Sequence, residues 1–277
     1  MPRPEAHPGS GGGDVDQYHR STVPGNAPVA AASLDWLEVP LHQSEALRVV
    51  RALWRQGPGS GLAVFAVRFN DAEFDPAYFG KSRMHVPAAV QQSVRRRQAE
   101  FFYGRMCVRH ALRELGTVNP ETAVDIGPRR APSWPPGIVG SISHCSGLAG
   151  AVVLASSACR GIGIDIEEIV NSESAAHLAR FVVDAGELRY LDAVGGLSLA
   201  TKLTIVFSAK ESFFKALSET VGRIFEFDAI KVRQIDLRHG TVDFVVSGML
   251  CPEFRPGDSC RSQFALGTNH VVSSFRW

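Results

Sequence analysis

Asp165 and Glu167 stand two residues apart in Gly161-Ile-Gly-Ile-Asp-Ile-Glu167, and Glu211 and Lys215 stand four apart in Phe207-Ser-Ala-Lys-Glu-Ser-Phe-Phe-Lys215. The first segment reads as a strand, on which alternate side chains share a face. Ile162, Ile164 and Ile166 then point into a core, and Gly163, Asp165 and Glu167 point the other way. The two carboxylates lie roughly 6.6 Å apart along such a strand, close enough to share a cation. The second segment reads as a helix, with Glu211 and Lys215 one turn apart on one face. Together Asp165, Glu167, Glu211 and Lys215 supply three acidic oxygen ligands and a cation, the set that a magnesium-dependent phosphoryl-group transfer needs. Hard oxygen donors with no nearby His or Cys cluster favour Mg²⁺ over zinc.

Taken singly, each motif also has an ordinary explanation. An Asp-x-Glu on a strand can be two solvated acids. The Glu211–Lys215 spacing suits a surface salt bridge worth a few tenths of a kcal/mol. Ser208 with Glu211 also fits a capping box that would start the helix at Ser208. Gly163 would leave its face bare and let a ligand approach the backbone.

Phosphate needs donors. Gly140-Ser-Ile-Ser-His-Cys-Ser-Gly147 reads as a glycine-bounded polar turn whose hydroxyls, with His144, could meet phosphate oxygens. A structural Ser/Gly turn is the equal alternative, and the chain has no G-x-x-x-x-G-K-[ST] loop. A helix expected over 88–115, stopped by Gly116, carries Arg95, Arg96, Arg97, Arg105, Arg109 and Arg113. Arg97 and Arg105 fall about 80° apart around its axis, on broadly one side. Guanidinium forks suit phosphate; a solvated basic face is the usual alternative, and Arg95, Arg96 and Arg113 fit it better. Arg129 and Arg130 precede Pro132-Ser-Trp-Pro135 and could add a further phosphate contact, or simply decorate a loop.

The elements that must hold these residues follow from pattern. Residues 1–33 are rich in Pro and Gly and poor in large hydrophobes, so they are expected to be a disordered tail. A helix is expected over 45–54, a strand over 62–68, and a strand over 149–155 after the polar turn. Beyond the 161–167 strand come helical stretches over 175–191 and 208–218, then strands over 230–235, 241–246 and 270–275. Strands and helices mix without a βαβ rhythm, which favours α+β over a doubly wound sheet.

Composition narrows the function classes. The 277 residues are 45% hydrophobic and 21% charged, ordinary for a globular protein, and the net charge of +1 provides no field to recruit nucleic acid or anionic membrane. The arginine helix also lacks interleaved aromatics of the kind nucleic-acid binders use. Five scattered cysteines with no C-x-x-C pair argue against a disulfide framework or zinc site and suit a reducing cytoplasm. No apolar run approaches a membrane span, and the N-terminus has no secretory h-region, so a cytoplasmic protein without membrane insertion is expected.

Four segments in this order resemble the 4′-phosphopantetheinyl transferases of the surfactin-synthetase-activating type, in their enterobactin-associated branch. They are 97–112, 132–144, Gly161 to Glu167 and Phe207 to Lys215. The resemblance implies an α+β fold of two similar halves packed as a pseudo-dimer, 34–156 and 157–277, with the site at their junction. It implies transfer of the 4′-phosphopantetheine arm of coenzyme A to a serine of an apo acyl or peptidyl carrier protein, with release of adenosine 3′,5′-bisphosphate. By position, Asp165, Glu167 and Glu211 would hold Mg²⁺. Glu211 would also be the base for the carrier serine. Lys215 would stabilise the leaving group, with Lys210 a lesser candidate. Ser143 and His144 would meet coenzyme A phosphates, and Arg97 and Arg105 the 3′-phosphate end. A monomer is expected. His110 and Met106 depart from the family pattern, where relatives often carry an acid and a tryptophan, and neither is expected to touch chemistry. The rival reading is a non-catalytic scaffold that binds coenzyme A or a carrier domain; the carboxylates and Lys215 argue against it.

Overall fold

The computed structural model describes residues 35–39, 49–55, 61–116, 124–127 and 130–277. The expected disordered tail, 1–33, lies outside the described residues.

Two five-stranded sheets organise the chain. The first contains β1 (Asp35–Val39), β2 (Val49–Arg55), β3 (Gly61–Arg68), β6 (Ile138–Cys145) and β7 (Leu148–Ala155), in the order β1-β2-β3-β7-β6. The second contains β8 (Ile162–Glu168), β9 (Ile230–Asp236), β10 (Thr241–Val246), β11 (Ser259–Leu266) and β12 (His270–Arg276), in the order β8-β12-β11-β10-β9. Every pairing in both sheets is antiparallel. With long helices and no parallel ladder, the fold is α+β.

Each sheet repeats one connection. A strand leads into helices, the chain returns as antiparallel strands, and the last of these pairs with the first: β7 with β3, and β12 with β8. The helices of the first excursion are α1 (Ala77–Lys81), α2 (Ala88–Gln91) and α3 (Arg95–Leu115). Those of the second are α4 (Ser172–Val182), α5 (Ala185–Ala193) and α6 (Leu199–Val221). The small pair β4 (Asp125–Ile126) and β5 (Pro132–Ser133) follows α3.

Three apolar clusters fix the layers. One lies between α3 and the first sheet, around Phe74, Phe102 and Leu112. Another lies between α6 and the second sheet, around Phe213, Leu217 and Phe244. The third joins the sheets: Leu62, Val64, Ala66, Leu148 and Val152 meet Ile162, Ile164 and Ile166 of β8. The isoleucine face of β8 is therefore core, as its alternation predicts, and the opposite face meets α6. A Cβ on Gly163 would fall 1.9 Å from the Ser212 carbonyl oxygen. The bare face expected to admit a ligand admits the backbone of α6 instead.

Several boundaries differ from the sequence reading. Residues 49–55 form β2, not part of a helix over 45–54, because Val49 to Arg55 pair with Gly61 to Val67 of β3; 45–48 lie outside the described residues. The arginine helix starts at Arg95 rather than 88, since Val94 is extended (φ −61°, ψ 152°) and Gln98 Nε2 donates to the Gln91 and Ser93 carbonyls across the break. The Ser-Ile-Ser-His segment is strand β6, not a turn; the turn falls at 146–147. The helix expected over 208–218 runs from Leu199 to Val221, with Ser198 as N-cap accepting from the Thr201 N–H. Ser208 is thus mid-helix and shares a hydrogen bond with Ser273 on β12, so it caps nothing. Strand β11 went unread because its first half, Ser259 to Ser262, is largely polar.

Candidate active site

β8, β6 and α6 meet over a small area that brings together Asp165, Glu167, Ser143, Glu211 and Lys215. Asp165 comes from the face of β8 that α6 covers, and its side chain is 2% exposed. Its Oδ1 accepts from Lys215 Nζ (2.5 Å) and from Ser143 Oγ (3.0 Å). Its Oδ2 is buried and has no hydrogen-bond partner. An unpaired buried carboxylate oxygen is costly unless something is meant to occupy it.

Glu167 and Glu211 crowd the same place. Burial first, then Asp165 and Glu211, raise the Glu167 carboxyl to about 8 against the pull of Lys215. Burial and Asp165 raise Glu211, again opposed by Lys215. Two acids raised by burial and by the neighbouring Asp165, with one ammonium among them, form a site short of positive charge. Among the described residues no group of three or more His, Cys, Asp or Glu side chains converges as a ready-made metal cage. Lys215 stands on the oxygen where a cation would sit. In chemistry, though, the donors fit a hard divalent ion: oxygen ligands only, one of them orphaned.

On the first-sheet side, His144 of β6 faces α3. Arg97 Nη1 lies 2.9 Å from His144 Nε2, and Glu100 Oε2 lies 3.6 Å from Nδ1. An arginine can only donate, so Nε2 accepts and the proton sits on Nδ1, toward Glu100. Burial lowers the His144 pKa, with Arg97 and Lys215 adding to the effect and Glu100 opposing it, so the ring is neutral at physiological pH. Glu100 also accepts from Arg96 Nε (3.1 Å) and Arg97 Nη1 (3.4 Å).

A cleft of about 750 Å³ opens between β6, the start of β8 and the C-terminal half of α6. Arg130, Arg160, Arg223 and Lys215 line it against one acid, Glu219, and Trp134 and Phe214 give it apolar walls. This size and mixture suit a ligand that carries both anionic groups and flat apolar ones. Lys215 belongs both to this wall and to the carboxylate cluster.

Lys210 and Arg105, assigned to the ligand by resemblance, are spent elsewhere. Lys210 points away from Glu211 into the second half, where its amine donates to the Val182 and Phe227 carbonyls and to Glu187. Arg105 donates from Nε to the Val124 carbonyl (2.6 Å) and lies over the Phe101 ring, so it braces the β4–β5 hairpin that leads to Arg130. Arg109 is likewise structural, tying α3 to the Ser82 and Arg83 carbonyls. His110 is a core residue stacked on Phe65. Conversely, Arg160, Arg223, Trp134 and Glu100 escaped the sequence reading. Arg160 and Arg223 sit singly beside Gly161 and Gly222, with no charge pattern to mark them.

Comparison with known proteins identifies the family. The family model described as the 4′-phosphopantetheinyl transferase N-terminal domain matches residues 85–154, and that of the 4′-phosphopantetheinyl transferase superfamily matches 161–272. Enterobactin synthase component D of Escherichia coli (strain K12) is 42% identical over 147 residues, covering 52% of this chain and 68% of that protein. Its counterpart from Salmonella typhi is 39% identical over 150 residues, and the match spans 54% of this chain and 60% of the relative's length. The 4′-phosphopantetheinyl transferase Svp of Streptomyces mobaraensis is 36% identical over 169 residues, 60% of this chain and 65% of its own. Both halves of the site, the Ser-His strand in one matched region and the three carboxylates with Lys215 in the other, place this chain in the 4′-phosphopantetheinyl transferase superfamily.

Proposed function

We propose that this chain transfers the 4′-phosphopantetheine group of coenzyme A to a serine of an apo acyl or peptidyl carrier protein, releasing adenosine 3′,5′-bisphosphate. The observation that carries the reading is the double membership of Lys215: its ammonium lies on Asp165 among three pKa-raised or orphaned carboxylates, and it also lines the cationic cleft. A pyrophosphate bound between the two would meet positive charge on one side and the acids on the other.

Asp165, Glu167 and Glu211 would hold a Mg²⁺ ion. When bound, it would neutralise charge on the pyrophosphate that the acids alone would repel. Arg130, with Arg160 and Arg223, would receive coenzyme A phosphates at the cleft, and the same role for Arg97 and His144 rests on the family resemblance. Glu211, whose carboxyl is raised by burial and by Asp165, would take the proton of the carrier serine. The seryl oxygen forms a new bond to the phosphorus that bears pantetheine. The pyrophosphate P–O bond breaks, and the electron pair leaves with the bisphosphate, which Lys215 stabilises. The two sheets, 34–156 and 157–277, act as the two halves of a monomer, and the cytoplasm is the compartment in which coenzyme A and carrier proteins meet. Among the described residues no helix is long and apolar enough to cross a membrane.

The test uses the purified full chain with Mg²⁺, coenzyme A and a panel of apo carrier proteins, read by intact mass. Wild type adds the phosphopantetheine mass to at least one carrier. Glu211→Gln adds none while binding coenzyme A by calorimetry. Full activity in Glu211→Gln would overturn the assignment of the base. Coenzyme A binding without transfer to any carrier would overturn the enzyme reading.

A further inference from the structure

Strands β6 and β8 are the neighbouring edges of two separate sheets, and what joins them is a pair of serine hydroxyls. Residues of β8 that do not bond β12 turn their N–H groups outward, two residues apart. On β6, Ser141 and Ser143 share a face with the same spacing. Ser141 Oγ accepts from the Ile164 N–H (3.0 Å), and Ser143 Oγ accepts from the Ile166 N–H (3.1 Å). Both serines are buried.

The two hydroxyls then differ. Ser141 Oγ returns its proton to the backbone, the Ile164 carbonyl (3.4 Å). Ser143 Oγ donates to Asp165 Oδ1 (3.0 Å) and accepts from Lys215 Nζ (3.0 Å) as well as from the Ile166 N–H. A hydroxyl has one proton and two lone pairs. All three are in use, so Ser143 has nothing left for a phosphate oxygen.

The geometry points to Ser143 as a positioning residue: it acts through Asp165 and Lys215, not on coenzyme A. It fixes which Asp165 oxygen meets Lys215 and leaves Oδ2 unpartnered. Ser141 makes the same inter-sheet stitch without touching either side chain, so it is the internal control. This inference rests on the transferase reading above and replaces the phosphate contact that the family resemblance assigns to Ser143.

The experiment compares wild type, Ser143→Ala, Ser143→Cys and Ser141→Ala in the full chain. Read out are kcat, coenzyme A Kd by calorimetry, Tm, and the rise in Tm that Mg²⁺ alone produces. Both alanine variants lose Tm, since each strands one buried N–H, and Ser143→Ala loses more because Asp165 and Lys215 also lose a partner. Ser143→Ala loses about tenfold or more in kcat with coenzyme A Kd within about twofold, and its Mg²⁺-induced Tm rise shrinks. Ser141→Ala loses several-fold less kcat and keeps the Mg²⁺ response. Should Ser143→Ala not fold, Ser143→Cys keeps the volume with a weak donor and gives the same split; full kcat in Ser143→Cys overturns the inference. So does a Ser143→Ala protein that matches Ser141→Ala in kcat and Mg²⁺ response, which would mean a merely structural role. A tenfold weaker coenzyme A Kd with intact kcat overturns it too, in favour of a phosphate contact. A wild type that neither transfers nor responds to Mg²⁺ overturns the functional reading and this inference together.

Discussion

Helix α6 carries two lysine–carboxylate pairs five residues apart, and they serve opposite ends. Lys210 and Glu187 stand 2.9 Å apart with side chains 1% and 4% exposed. The three ammonium protons meet three acceptors: Glu187, the Val182 carbonyl at 2.8 Å and the Phe227 carbonyl at 3.1 Å. Glu187 is equally spent, taking the Val232 N–H on Oε1 and the Asp184 N–H on Oε2, the latter closing the capping box of α5. Lys215 and Asp165 are closer, at 2.5 Å, yet Lys215 is 26% exposed and Asp165 keeps one oxygen without a partner. A pair whose every donor and acceptor is satisfied inside the fold is architecture. One that leaves an oxygen orphaned and an ammonium partly open to a cleft is a candidate site. Strength of contact does not separate them; completeness does.

The comparison breaks most visibly at the closed pair. Lys210→Met takes the buried counter-charge from Glu187 and leaves it only the more distant Lys231 at 3.8 Å, and removing one partner of such a pair costs about 3–5 kcal/mol. Thermal melting of this variant should show a larger Tm loss than breaking either a half-open or a solvated ion pair. An unchanged Tm with weakened coenzyme A binding would return Lys210 to the ligand site. Lys215→Ala should do the reverse. Its transfer rate falls on the order of 10²-fold, the usual effect of losing a charge that stabilises a transition state. Its Tm changes less than that of Lys210→Met, because the open pair is partly solvated. Single-turnover rates and melts on the two variants test both expectations at once.

This contrast also marks how far the sequence could be read. Asp165, Glu167, Glu211 and Lys215 were legible because the strand and helix periods alone put them on common faces, and both elements formed. Lys210 was not. It adjoins Glu211 in the chain, but successive helical residues diverge by about 100°, and its acceptors come from three other segments. Ser141 and Ser143 carry a turn's composition between Gly140 and Gly147. What makes them a strand is the outward edge of β8, more than twenty residues away in sequence. Strand β2 was missed for the same reason: its partner β3, not its own pattern, decides its state. The fold class survives such errors because it depends on the mixture of elements. The cleft arginines Arg160 and Arg223 had no local signal, since they come together only where the start of β8 packs against the C-terminal half of α6.

The acid side of the open pair gives a smaller, pH-dependent effect. The Glu167 carboxyl is raised to about 8 by burial and then by Asp165, with Glu211 adding to the rise. A group whose folded pKa lies above its unfolded value gives its full stabilisation below the unfolded value, about 4.5, and loses it as pH rises through about 8. Without divalent cation, Tm should therefore fall between pH 5 and 8, on the order of a few degrees. Mg²⁺ should recover most of that loss at pH 8, and Glu167→Gln should flatten the slope. A Tm in the metal-free protein that is constant over this range would mean that the acids do not feel one another. His110 supplies the opposite sign from a closed environment. Burial lowers it to about 4, so its contribution is complete above about 6.5 and is lost as pH falls.

Completing the series calls for a pair whose cation stands in solvent, and Arg261 with Asp243 provides one. They face each other across β10 and β11, with Arg261 Nη2 donating to Asp243 Oδ2 at 2.9 Å and side chains 63% and 23% exposed. Their geometry is two-pronged, better than that of Lys215 on Asp165. If good geometry alone made a pair matter, Asp243→Asn would be costly. Solvent screening instead limits an exposed pair to about 1 kcal/mol or less. Asp243→Asn should shift Tm by only a degree or two, on the order expected for that energy in a protein of this size, and leave transfer unchanged. A Tm loss approaching that of Lys210→Met would show that exposure is not what distinguishes the pairs, and the line drawn between architecture and site along α6 would have to be redrawn.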